Sequence, residues 1–118
     1  MRHAARGTVV GRRVRVADGW WSRLRGLLGR PPLAEGEGLL LTPCTSVHMF
    51  GMKYPIDVAF LDPDGRVVAA YHRLPPGGRS RWHRDARSAL ELPAGTLAGL
   101  GIAEGEMLTW GPPEENRS

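Results

Sequence analysis

Two apolar runs, Val58–Leu61 and Arg66–Tyr71, are joined by Asp62-Pro63-Asp64-Gly65, and this arrangement folds a chain back on itself. Pro pre-sets a turn φ, Asp closes a turn through its side chain, and Gly accepts the positive φ that a tight reversal needs. The pattern predicts a β-hairpin. The whole sequence holds 16 Gly and 10 Pro, so other elements are expected to be short.

The spacing around that hairpin yields the remaining elements. Arg6–Ala17 alternates branched apolar residues with arginines around Gly11-Arg12, which predicts a strand pair or one bent strand with Val9, Val14 and Val16 or their neighbours facing inward. Asp18 can cap a helix through Trp20, Trp21, Leu24, Leu27 and Leu28, stopped by Gly29 and Pro31-Pro32. Leu39–Thr42 reads as a buried strand, Ala89–Leu92 as another, Thr96–Leu100 as a single helical turn and Met107–Trp110 as a closing strand. The sum is an α+β, β-rich fold: one small domain, a curled and mostly antiparallel barrel-like sheet of about six or seven short strands, and one short helix. Residues 1–111 form that domain and 112–118 a flexible tail.

At 118 residues the chain suits one domain. No apolar run approaches the roughly 18 residues that span a bilayer, and the Arg-rich start lacks the apolar stretch of a secretion signal, so a cytoplasmic location is expected. A lone cysteine, Cys44, fits a reducing compartment. The net charge of +4 is carried by arginine, with Lys53 the only lysine. It favours loose association with polyanions.

The segment Pro43–Asp62 threads Cys44, Ser46, His48, Lys53 and Asp57 through apolar residues. Buried polar groups must be paired or line a cavity. In an extended chain Cys44, Ser46, His48, Phe50 and Met52 share one face, with Thr45, Val47, Met49 and Lys53 on the other. Such a face predicts a pocket in which Phe50 and Met52 hold an apolar group while His48 and Ser46 orient a polar one. A helical turn would again set Cys44 beside His48. A Cys44–His48 pair oriented by Asp57 has the logic of a nucleophilic triad, but no nucleophile motif surrounds Cys44. Asp57 has a structural alternative, accepting backbone N–H bonds or pairing with Lys53 or Arg25, and His48 that of a hydrogen-bonded core residue. Glu91 reads as a surface alternate or an arginine partner. No metal is expected, since His3, His48, His72 and His83 lack ligand spacing.

The chain resembles the bacterial and archaeal domain-of-unknown-function family 192 (DUF192), also the uncharacterised protein family UPF0127. The residues that carry the resemblance are Arg25–Arg30, Val47–Lys53, Pro55–Asp62, Asp64–Val68, Leu90–Gly95 and Gly105-Glu106. The family's central block, an aromatic, Met and a base followed by Pro, an aliphatic and Asp, is reproduced by Phe50, Met52, Lys53, Pro55, Ile56 and Asp57. The Met52-Lys53-Tyr54-Pro55 spacing is shorter than in many members. The resemblance implies a β-rich domain of mixed α and β type and brings no established activity.

Leu74–Asp85 is expected to be a long exposed loop. Within and beyond it Arg79, Arg81, Arg84 and Arg87 surround Trp82, the composition of a base-stacking, phosphate-binding loop. The preferred alternative folds Trp82 back over the sheet.

The leading functional expectation is a non-enzymatic module binding a small molecule or peptide around Cys44, Ser46, His48, Phe50, Met52, Lys53 and Asp57. A hydrolase using His48 and Asp57 as acid and base, and a polyanion binder using Arg79, Arg81, Trp82, Arg84 and Arg87, are the alternatives. No cofactor is expected, and the protein is expected to be a monomer or weak homodimer.

Overall fold

The computed structural model describes residues 1–5, 7–17 and 32–109. The helix expected over Asp18–Gly29, Trp110 and the tail 112–118 lie outside them. Among the described residues the elements are β1 (Arg2–His3), β2 (Arg13–Ala17), β3 (Glu37–Leu41), β4 (Ile56–Leu61), β5 (Val67–Leu74), β6 (Ser88–Pro93), α1 (Thr96–Leu100) and β7 (Leu108–Thr109).

Five strands form one sheet in the order β2-β3-β6-β4-β5, and β1 pairs with β7 in a second. The sheets are not closed into a barrel. All pairings are antiparallel except β2 with β3, which is parallel and sets Arg13 against Glu37 and Ala17 against Leu41. β4, hydrogen-bonded on both edges, is buried along its whole length. A strand covered on both faces is uniformly apolar rather than alternating, and in Ile56-Asp57-Val58-Ala59-Phe60-Leu61 only Asp57 breaks the run.

The hairpin is β4 and β5. Its turn is closed by Asp62, whose Oδ1 accepts N–H bonds from Asp64 and Arg66, both at 2.9 Å. Gly65 has φ +93°, and a Cβ there would stand 2.3 Å from the Leu108 carbonyl oxygen, so the turn requires glycine both for its backbone and for its contact with β7.

Each face of the large sheet carries its own core. Leu39, Leu41, Val58, Phe60 and Ala89 lie on one side with Val47 and Met49 of the β3–β4 connection. Leu40, Ala59, Leu61, Leu90 and Leu92 lie on the other, covered by Leu97 of α1, Ile102 and Leu108. Each of the larger of these side chains, Val, Leu, Ile, Phe or Met, contributes about 1.5–3 kcal/mol when fully buried.

On the N-terminal inner face, neighbours of two of the expected valines are the buried residues. Val10 and Ala17 are buried, Val14 is half-buried and Val16 is 45% exposed. The parallel register places Val14 over Gly38, whose missing side chain leaves room for it. No described helix is long and apolar enough to cross a membrane.

Candidate functional site

The β3–β4 connection is extended through 46–50, and its alternation decides what faces solvent. Val47 and Met49 are buried, so Ser46, His48 and Phe50 point outward. The β5–β6 connection runs antiparallel beside it. Met49 N–H donates to the Gly78 carbonyl at 2.7 Å, Gly77 N–H to that of Met49 at 3.0 Å, and Ser80 N–H to that of Val47 at 2.9 Å. The buried Ser80 hydroxyl also accepts from Val47 N–H at 2.9 Å and donates to the Arg81 carbonyl. Two connections that would otherwise be independent loops are thus one cross-linked unit.

His48 and Arg79 are directly opposed in this pairing, and opposed residues project to the same side. Together with Ser46, Phe50, Ser80 and Trp82 they line a hollow of about 460 Å³. Phe50 is 81% exposed and Trp82 77%. The preferred expectation that Trp82 folds over the sheet is therefore corrected, as is that of His48 as a core residue. His83 takes the inward position, because its N–H donates to the Thr45 carbonyl at 2.8 Å and fixes which residues of the loop turn in. Its ring packs against Phe60 at 4.7 Å between centroids and against Tyr71 at 5.6 Å. The Tyr71 hydroxyl is 2.7 Å from His83 Nε2 and accepts the Arg81 N–H at 2.9 Å.

The seven residues expected at one pocket separate. Ser46, His48 and Phe50 meet in the hollow, joined there by Arg79 and Trp82 of the other expected cluster. Cys44 is half-buried against the core, its thiol donating to the Ser46 carbonyl at 3.1 Å. Met52 also packs on that core, and Lys53 is exposed. Arg81, Arg84 and Arg87 are exposed outside the hollow.

Asp57 has no exposed surface. Its Oδ1 accepts the Arg73 N–H at 2.9 Å and its Oδ2 the Leu97 N–H at 2.8 Å. The carboxylate ties β4 to the bulged end of β5 and to the first turn of α1, on the side of the sheet away from Val47 and Met49. The geometry does not bring it to His48, so the acid–base pair and the triad logic lack their second member. The structural alternative considered for Asp57, backbone N–H bonds, is the arrangement found.

Glu91 is 7% exposed, opposite Leu39 and Val58, and among the described residues its Oε1 has no hydrogen-bond partner. Burial pushes its carboxyl up to about 7. It is neither a surface alternate nor, among the described residues, an arginine partner. Its signal was present in Leu90-Glu91-Leu92, a charge inside a strand that pairs on both edges. The Tyr71–His83 pair had no local signal, since it joins a strand to a loop across the fold. Among the described residues no cluster of three or more His, Cys, Asp or Glu could hold a metal.

Chemically, the hollow offers aromatic surface for an apolar or planar group and an Arg79 guanidinium with the His48 imidazole for an anionic one.

A UPF0127 protein of Thermococcus sibiricus is 32% identical over 120 residues, covering 93% of this chain and 73% of that protein. Another, of Thermococcus kodakarensis, is 32% identical over 111 residues, covering 87% and 68%. The fold matches a crystal structure of a protein of unknown function from Novosphingobium aromaticivorans with TM-score 0.74 at 24% identity, over 82% of this chain and 74% of that one. It also matches a putative transcription regulator from Sinorhizobium meliloti with TM-score 0.72 at 28% identity, over 81% and 79%. The family model of DUF192, described as Uncharacterized ACR, matches residues 1–110, and with relatives aligned over nearly the whole length the chain belongs to the DUF192 (UPF0127) family.

Proposed function

We propose that this protein is a non-enzymatic binding module that holds a small molecule or a peptide end, bearing an apolar group and an anionic one, in the hollow between 46–50 and 77–82. The observation that carries this reading is the exposure of Phe50 and Trp82 on one cross-linked hollow beside His48 and Arg79. Large aromatics left in water and clustered with a cation mark interaction sites. The lone thiol of Cys44 suits a reducing compartment, which supports a cytoplasmic location.

The test is an ¹⁵N NMR titration with indole-3-acetate and with a tripeptide ending in Phe-Asp. The reading expects saturable shifts confined to 46–50, 77–80 and the Trp82 indole N–H, abolished by Phe50→Ala with Trp82→Ala. Shifts elsewhere, or none, would refute it.

A second reading, polyanion binding, is favoured by the exposure of Arg79, Arg81, Trp82, Arg84 and Arg87 on one loop and by the name of the Sinorhizobium meliloti neighbour. It requires that affinity for a single-stranded oligonucleotide fall steeply as salt rises; binding unchanged by salt would eliminate it. The hydrolase alternative loses support, because both Asp57 oxygens are already occupied by backbone N–H groups.

A further inference from the structure

A second hollow, of about 850 Å³, opens between the start of β2, the turn before β3 and α1. Arg12 and Arg13 stand on its rim, and the N–H groups of both donate to the Gly36 carbonyl, at 2.8 and 2.9 Å. Consecutive bonds to one oxygen fix where both side chains leave the backbone. Among the described residues neither guanidinium has a carboxylate partner. Among the described residues Glu35 is the one acid lining the hollow.

A third cation, outside the lining itself, is brought beside one of its residues by a strained route. Arg73 has φ +52°, a left-handed conformation that costs a non-glycine residue free energy and that persists only where the surroundings enforce it. Asp57 enforces it by accepting the Arg73 N–H, at the irregularity where Ile56 pairs with Leu74 and Val58 with Tyr71. The Arg73 side chain then lies against Gly95, with Nη2 3.2 Å from where a Cβ would stand. Gly95 lines the hollow, so a glycine with φ +93° leaves the space that lets the guanidinium approach. Val9, Val10 and Leu100 add apolar surface to the lining.

We infer that this hollow binds a small amphiphilic anion, its phosphate or carboxylate met by Arg12, Arg13 and Arg73 and its apolar body laid against Val10 and Leu100. Among the described residues two guanidiniums face one carboxylate in the lining, with Arg73 next to Gly95, and guanidiniums pair with phosphate and carboxylate in bidentate fashion.

The test is an ¹⁵N NMR titration of the whole chain with phenyl phosphate, benzoate and neutral phenol. The expected result is saturable shifts of the Gly36, Gly95 and Gly99 amides with the two anions and not with phenol. Tighter binding of the phosphate names a phosphorylated ligand, and tighter binding of benzoate a carboxylate. Arg12→Gln with Arg13→Gln should weaken binding at least tenfold while the remaining spectrum stays native. Arg73→Gly removes the cation yet accepts the left-handed backbone, so affinity should fall while the unfolding midpoint holds or rises. Equal shifts with phenol, shifts only at 46–50 and 77–82, or affinity unchanged in both variants would overturn the inference. Because the first hollow reports through different amides, failure at one leaves the other standing.

Discussion

The protein has two phenylalanines, and they occupy opposite situations at the two ends of one motif. Phe60 has no exposed surface and touches Tyr71 and His83, with ring centroids 5.8 and 4.7 Å away, whereas Phe50 is 81% exposed at the edge of a hollow. The polar residues of the same stretch divide in the same way. Asp57 spends both oxygens on backbone N–H groups of other elements, while His48 projects from a backbone that is itself held by Met49 and Val47. One half of the motif builds the scaffold. The other half is presented by that scaffold, because Val47 and Met49 anchor the chain and leave the alternate side chains outside.

The sharpest way to break this division is truncation at each phenylalanine. Phe60→Ala should cost about 3–5 kcal/mol in urea unfolding, as expected for an aromatic removed from a core that cannot collapse around the gap. Asp57→Asn should follow at about 2–4 kcal/mol, since the amide NH2 would face one of two backbone N–H donors and leave it unsatisfied in a buried site. A loss below about 0.5 kcal/mol for either variant would place the scaffold elsewhere.

Glu91 provides a pH handle on the scaffold. Its carboxyl is raised from 4.5 to about 7 in the fold, so between those values the folded state binds more protons than the unfolded one. Its contribution to stability is therefore fully present below pH 4.5, declines as pH rises towards 7, and is lost above that. Glu91→Gln keeps the site neutral and should raise stability at pH 8 by about 1–3 kcal/mol relative to the wild type, an effect that fades at acid pH. Equal stability of the two proteins at pH 8 would contradict the desolvated position of Glu91.

Much of the scaffold was legible because its signals are local. The Asp62–Gly65 turn, the strands 37–41 and 88–93 and the helical turn 96–100 each follow from neighbouring residues. So did the outward alternation of Ser46, His48 and Phe50. The parallel pairing of β2 with β3 was not legible, because period-2 patterning says which face is buried and nothing about a partner's direction. Asp57 could be suspected of taking backbone bonds, but not of which ones, since Arg73 and Leu97 are brought to it by the bulge in β5 and the position of α1. Trp82 was expected to fold over the sheet and is instead exposed, for a similar reason. Adjacent residues of an extended loop point oppositely, and only the bond from His83 N–H to Thr45 settles which one turns in. The hollow itself joins residues from two expected clusters that no spacing connects.

The smallest expected effect is also the most telling. Phe50→Ala combined with Trp82→Ala, followed by urea unfolding, measures whether these rings hold the fold or stand ready for an occupant. The account predicts a stability within about 0.5 kcal/mol of the wild type, as for exposed substitutions that leave no cavity. A loss of about 2 kcal/mol or more would show that the two aromatics are packing groups, and the binding hollow would have to be abandoned.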